Sequence, residues 1–328
     1  MTSPEQPGPT VAHDGERALG RVLLIDGDRE QVRKISRVLR TAVQDLEIVS
    51  CPDEAPSREE WSLLVANYDA LDDRSKERLF GMHGERGRLL LYSNQVDRSD
   101  LTVLFGSRGL TNLLAKNPEV DGAELLVTIQ KILKKDIFGL GKYFPWGTSG
   151  VRRTMSRSTE KEPLLEDVRA FASSVGIQPR MVEMFCTVAD ELLTNAIYNA
   201  PVDEQRTPRF AHLPRTQPIE LDTRESICLE MRSDGSRLGI SVEDPFGSLS
   251  VEKVLEYLAK CFRRGEDQVD RKDGGAGLGL YYIFEALSNF VVNVAKGRRT
   301  EMIGLMDIRG SYRDFAARSK SFNIFVAD

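Results

Sequence analysis

ELLTNAIYNA, residues 191–200, and GGAGLGL, residues 274–280, together decide how the second half of this chain is read. On a helix, Glu191, Asn195 and Asn199 recur every four residues and share one face, while Leu192, Leu193, Ala196 and Ile197 supply the apolar side. An amide oxygen can coordinate a magnesium ion that bridges phosphates, and a carboxylate one turn earlier can orient or deprotonate a nucleophile. In the second stretch the glycines leave backbone N–H groups unobstructed where the helical pattern LGLYYIFEAL begins, so phosphate oxygens can lie against a helix N-terminus. A glycine cluster alone is weak evidence. Its pairing with an acid and two amides on one helical face indicates a nucleotide site.

Between these stretches, the strand-like LGISVED (238–244) ends in Asp244, followed by Pro245, Phe246 and Gly247. A carboxylate there can accept a hydrogen bond from an exocyclic amine such as that of adenine, and Gly247 permits close backbone approach. The charged segment RRGEDQVDRKDGG (263–275) reads as a lid whose Arg271 or Lys272 reaches phosphates. Each feature also has a plainer reading: a solvated helix face, a strand-to-turn junction, a solvated loop.

At 328 residues the chain exceeds the usual size of a single domain, so about two are expected. Lys and Arg number 45 against 50 Asp and Glu, and the resulting net charge of -5 offers no footprint for nucleic acid or anionic lipid. Four cysteines without CxxC spacing and three isolated histidines form no metal set, which leaves free thiols in a reducing compartment. The N-terminal stretch is polar and rich in Pro and Gly, and no apolar run approaches the roughly 20 residues of a spanning helix. These features predict a cytoplasmic protein that binds neither nucleic acid nor membrane.

After a disordered tail over 1–20, short apolar runs alternate with amphipathic ones: RVLLID (21–26), a helix over 29–43, LEIVS (46–50), SLLVAN (62–67), a helix over 74–83, RLLLYS (88–93), LTNLLAK (110–116) and a helix over 122–136. That pattern predicts an α/β domain over 21–138 with a doubly wound parallel sheet. The stretch 139–160, rich in Gly, Ser and Arg and without periodicity, reads as a linker whose aromatics Tyr143, Phe144 and Trp146 can dock on a neighbour. From 161 to 328, helices near 163–175, 180–199, 250–263 and 277–288 accompany strands near 225–232, 238–244, 290–297, 300–308 and 321–326. An α+β sandwich with a largely antiparallel sheet follows. Residues 201–224, with four prolines, read as a long surface loop.

The order and spacing of ELLTNAIYNA, DPFG and GGAGLGL resemble the N, G1 and G2 boxes of the GHKL superfamily of ATPases and kinases, over about residues 160–328. The resemblance implies the Bergerat-type ATP-binding fold, with ATP and Mg2+ as cofactors. Asn195 would bind the metal, Asn199 would share its face, and Asp244 and Gly247 would read adenine. Gly275, Gly277, Leu278 and Gly279, with Lys272, would hold the phosphates. The opening helices, EPLLEDVRAFASSVGIQPRMVEMFCTVADELLTNAIYNA, are most similar to anti-sigma-factor serine kinases, which places the general base on Glu191 and implies a homodimer. The family's usual DxGxG is altered: Phe246 stands where the first glycine belongs, and Leu249 where a later one would.

RVLLIDGDRE resembles the first strand of a response-regulator receiver, with Asp26 and Asp28 at the magnesium-binding strand end and Gly27 between them. Ser93 and Lys116 match that family's switch hydroxyl and lysine. The phosphoacceptor position is occupied by Asn67, and an amide cannot form an acyl phosphate. Asp69 falls in the following loop rather than at the site. The domain therefore reads as a pseudo-receiver that docks through the surface around 109–116 and 124–133.

The function these resemblances imply is regulation of a partner protein, such as a sigma factor, an anti-sigma antagonist or a response-regulator-like protein. It would proceed by serine/threonine phosphorylation or by an ATP-set switch. The rivals are a non-catalytic scaffold and a histidine-kinase-type ATP domain acting in trans, since His13, His83 and His212 lie on no suitable helix.

Overall fold

The computed structural model describes residues 20–56, 61–82, 88–94, 96–117, 120–264 and 276–327. The expected tail, apart from Gly20, and the lid reading of 265–275, with Arg271, Lys272 and Gly275, lie outside the described residues.

Strands β1 (Val22–Ile25), β2 (Leu46–Val49), β3 (Leu63–Asn67), β4 (Leu89–Ser93) and β5 (Asn112–Ala115) run parallel in the order β2-β1-β3-β4-β5. Their unbroken apolar runs require cover on both faces. On one face, Ile35 and Leu39 of α1 (Arg29–Ala42) and Leu125, Ile129 and Ile132 of α4 (Gly122–Lys134) pack over Val22, Leu24 and Val65. On the other, Leu79 of α2 (Asp73–Met82) and Leu101 of α3 (Arg98–Thr102) cover Leu23, Ile25 and Leu64. Asp28 and Asp121 cap α1 and α4, each accepting hydrogen bonds from the first free backbone N–H groups. This half is a doubly wound layer.

In the second half, β6 (Gly150–Met155), β7 (Ile227–Ser233), β8 (Arg237–Asp244), β10 (Arg299–Asp307) and β9 (Asn289–Ala295) form an antiparallel run in that spatial order. Helices α5 (Lys161–Ser174), α6 (Pro179–Thr194), α7 (Val251–Arg264) and α8 (Ala276–Ala286) accompany it, and buried residues of α5, α6 and α7 join its inner face in one core. After β10, α9 (Tyr312–Ala317) leads to β11 (Ser321–Ala327), which lies parallel to β9.

The two halves are not tethered beads. β11 also pairs antiparallel with β5, Phe322 opposite Leu113 and Asn323 opposite Asn112, so eleven strands form one sheet, β2-β1-β3-β4-β5-β11-β9-β10-β8-β7-β6. On one face of the seam, Phe105 lies 4.9 Å from Phe322, and Phe262 lies 5.3 Å from Phe284 between ring centroids. The other face carries a second apolar cluster, with Leu114, Val291, Ile303 and Phe325, in which a few polar groups are buried. Lys131 Nζ donates to Tyr143 Oη at 3.0 Å, and Glu301 accepts from Gly139 N and Asn293 Nδ2.

The stretch 139–160 is more than a linker. It begins with a 3-10 turn, Leu140–Tyr143, continues through buried Phe144 and supplies β6. Leu140 and Phe144 cover the sheet face opposite the helices, where β8 carries Gly239; a Cβ there would stand 2.7 Å from the Phe144 ring. Of the expected docking aromatics, Tyr143 and Phe144 are buried and Trp146 is fully exposed. A strand of exposed arginines shows no alternation to the eye, because only its pairing with β7 makes it a strand.

Candidate functional site

α6 starts with Pro179 at its first turn and buries Val182, Phe185, Ala189, Leu192 and Leu193. It does not stay α-helical to residue 199. Asn195–Asn199 form a π-helical turn, closed by the hydrogen bond from Ala200 N to Asn195 O at 2.9 Å. The two asparagines remain neighbours, with Asn199 Nδ2 donating to Asn195 Oδ1 at 2.7 Å.

Beside that turn lies a cavity of about 340 Å³. Asn195 and Asn199 form one wall, Asp244 and Thr300 of β8 and β10 the floor, and Lys253 and Tyr257 of α7 another wall. The loop over 201–224 contributes Val202, Arg206 and Pro208, so this stretch closes over the cavity as well as running along the surface. Most of the lining is apolar side chain, and few polar groups converge on it, the usual make-up of a small-molecule site.

Asp244 is buried at the end of β8, opposite Thr300 in the β8–β10 register. Burial pushes its carboxyl up to about 7, although the backbone N–H groups of Phe246 and Gly247 pull the other way; the Phe246 N to Asp244 Oδ1 distance is 2.9 Å. Thr300, opposite it in the register, hydrogen-bonds the same carboxylate and also pulls its pKa down.

Phe246 does not enter the cavity; it packs into the core, and its carbonyl accepts from Arg206 Nη1 at 3.2 Å. Gly247 is not part of the lining either. Its φ is +54°, and a Cβ there would overlap the carbonyl of Ala295, so glycine is required by the β9–β10 hairpin rather than by a bound base.

Glu191 lies one turn before Asn195 but outside the cavity lining. Its carboxylate rests against Gly279, where a Cβ would overlap it. Burial, then the neighbouring Asp190, raises its carboxyl above the usual range, while Lys161 and Arg215 oppose the shift. Gly277, Leu278 and Gly279 occupy the first turn of α8, and Leu280 of the same helix lines the cavity. Gly275 and Lys272 lie outside the described residues.

Asn195 Oδ1, the atom expected to hold magnesium, accepts one hydrogen bond, from Asn199, and keeps a second lone pair of the kind such an ion takes. Thr300, Lys253, Tyr257, Arg206 and Leu280 were not picked out by sequence. Their only signal would have been the β8–β10 register and the fold of a proline-rich loop.

At the edge of the parallel layer, the expected receiver residues do come together. Asp26 is 3 % exposed and accepts from Asn67 Nδ2 at 3.0 Å, Tyr92 Oη at 2.5 Å and Asp28 N at 2.8 Å. Asp69, expected in the loop, is turned back by a 3-10 turn over Tyr68–Ala70 and accepts from Ser93 Oγ and Asn94 N. Lys116 forms no ion pair with Asp26 or Asp28 among the described residues. No cluster of three His, Cys, Asp or Glu able to hold a metal occurs among the described residues.

No protein-family model matches the sequence, and no curated protein is similar to it in sequence. Among solved structures, the chain is similar to DrrB, a Thermotoga maritima response regulator described as an OmpR/PhoB homologue. That match has 18 % identity over 39 % of this chain and 57 % of that chain, with a TM-score of 0.31. It is also similar to a fungal multi-domain GH3 β-N-acetylglucosaminidase with a GCN5-related glucosamine N-acetyltransferase region, at 9 % identity over 79 % of this chain and 28 % of that chain, TM-score 0.26. The chain thus spans little more than half of the first and under a third of the second. The doubly wound layer rests on its own strand order, β2-β1-β3-β4-β5. No helix among the described residues is long and apolar enough to cross a membrane.

Proposed function

We propose that the cavity between α6, α7 and the β8–β10 pair binds an adenine nucleotide, ATP or ADP, and that its occupancy regulates a partner protein. One observation carries the reading: the buried carboxylate of Asp244 sits at the floor of a largely apolar cavity whose wall carries the Asn195 amide. A flat heteroaromatic base fits the apolar part, its exocyclic amine donates to Asp244, and phosphate oxygens meet Asn195. The similarity of ELLTNAIYNA, DPFG and GGAGLGL to the GHKL boxes favours the same ligand.

A nucleotide-dependent switch is favoured over phosphoryl transfer, because the expected base, Glu191, packs against Gly279 away from the lining. Partners in keeping with both resemblances are a sigma factor, an anti-sigma antagonist or a response-regulator-like protein.

The test is an equilibrium titration with ATP and, as a control lacking the adenine amine pattern, UTP, followed across pH. The base needs Asp244 ionised as an acceptor, and the free carboxyl titrates near 7, with Glu243, itself paired to Arg299, as the neighbouring charge. Affinity for ATP is expected to fall about tenfold between about pH 8 and about pH 6, and Asp244→Asn is expected to flatten that profile. Equal affinity for ATP and UTP would refute base recognition by Asp244.

A further inference from the structure

Two cations line the cavity without a carboxylate to answer them. Arg206, on the loop that closes over it, and Lys253, on α7, are both exposed, which puts them at its mouth, and neither forms an ion pair among the described residues. The only carboxyl among the described lining residues is Asp244, buried at the floor and already met by Phe246, Gly247 and Thr300. The mouth is therefore positively charged in a chain whose net charge is -5.

Arg206 is held in place rather than left to wander. A tight turn closes around it: Arg206 N donates to Asp203 O at 3.0 Å, Thr207 N to Asp203 Oδ1 at 2.8 Å, and Asp203 N to Thr207 O at 3.0 Å. The turn sets the Arg206 backbone at a φ of +65°, a left-handed conformation that is costly for a residue with a Cβ and that persists where the surroundings impose it, as they do at ligand clamps. Its guanidinium lies against Gly297, where a Cβ would overlap it, and donates from Nη1 to the Phe246 carbonyl at 3.2 Å. A guanidinium has five N–H donors, and one carbonyl leaves most of them for another acceptor.

We infer that Arg206 and Lys253 bind the phosphates of the nucleotide, so that the cavity takes a nucleotide in strong preference to the bare nucleoside. The inference rests on the nucleotide reading of the cavity, and it assigns phosphate binding to two residues outside ELLTNAIYNA, DPFG and GGAGLGL. Arg206 supplies a planar fork and Lys253 a point charge, and phosphate oxygens accept from both.

The experiment is equilibrium titration of the full chain with ATP and, separately, with adenosine, in one magnesium-containing buffer. The ratio of the two dissociation constants measures what the phosphates contribute. In the parent, ATP is expected to bind about a hundredfold or more tighter than adenosine. Arg206→Asn, whose side chain tolerates the left-handed backbone, and Lys253→Gln are each expected to cut that ratio about tenfold, and Lys253→Arg to keep it within about threefold. A ratio in Arg206→Asn and Lys253→Gln that matches the parent would overturn the inference, including the case in which both ligands weaken in proportion, because the two residues would then only hold the fold. Equal affinity of the parent for adenosine and ATP would refute the inference and leave the nucleoside site standing. No binding of either ligand by the parent would remove the nucleotide reading, and the inference with it.

Discussion

Two places in this molecule gather polar side chains at the ends of buried strands, and they treat them in opposite ways. At the edge of the parallel layer, Asp26 is met by an amide, a phenol and a backbone N–H, and Asp69 by a hydroxyl and a backbone N–H. Only the carbonyl oxygen of Asn67 goes unmet there among the described residues. In the cavity of the antiparallel half, Asp244 is met by the backbone N–H groups of Phe246 and Gly247 and by Thr300, yet it lies in the floor of a space lined mostly by apolar side chains. A buried polar cluster that closes on itself is part of the core; one that lines an apolar cavity leaves room for a ligand. Asn67 makes the difference in the first region, because as an amide it donates to the very carboxylate that an aspartate would repel.

The largest effect that could break this comparison is on binding. Asp244→Ala is expected to weaken ATP by about a hundredfold or more, measured by titration. Asp26→Ala is expected to leave ATP affinity unchanged and to lower the denaturation midpoint, because three donors lose their acceptor. If Asp26→Ala impaired binding as Asp244→Ala does, the two regions would be one site.

A middle-sized effect tests the self-satisfied edge. Asn67→Asp places a second carboxylate beside Asp26 and is expected to cost about 2 kcal/mol in chemical denaturation at neutral pH, with most of the loss recovered on adding magnesium. Recovery would show that the strand ends can hold a cation once the amide is replaced by a carboxylate. An unchanged midpoint would mean the two groups are not in contact.

The smallest expected effect lies at the seam. Glu124 of α4, which accepts from Asn289 Nδ2 of β9 at 2.9 Å, has its carboxyl pushed by burial up to about 7 from 4.5. A carboxyl whose folded pKa is raised lends stability fully below the unfolded pKa, and that stability is lost as pH rises through the folded one. Glu124→Gln is therefore expected to match the parent near pH 4 and to be more stable by about 1 kcal/mol above pH 7.

Much of the fold can be read in advance from residues such as Val22–Ile25, whose unbroken apolar run demands a two-sided layer, and from the helical period of 29–43 and 180–194. What could not be read depends on distant pairing. β6 is a strand only because β7 lies beside it, and β11 closes the sheet across β5, more than two hundred residues away in sequence. The site divides in the same way. Asn195, Asn199 and Asp244 carry a local pattern and do meet at one cavity. Gly247 and Glu191 carry an equally good pattern, yet one serves a hairpin and the other packs against Gly279. Thr300 and Arg206 have no local signal, since each acts through a partner brought by the fold.

The most direct test of the adenine-nucleotide assignment is a crystal structure of the full chain grown with saturating ATP. The expected result is ordered density for the base in the cavity, with its exocyclic amine within hydrogen-bond distance of the Asp244 carboxylate and the phosphates on the Asn195 side. An empty cavity, or a nucleotide ordered beside Asp26 at the parallel strand ends, would contradict it.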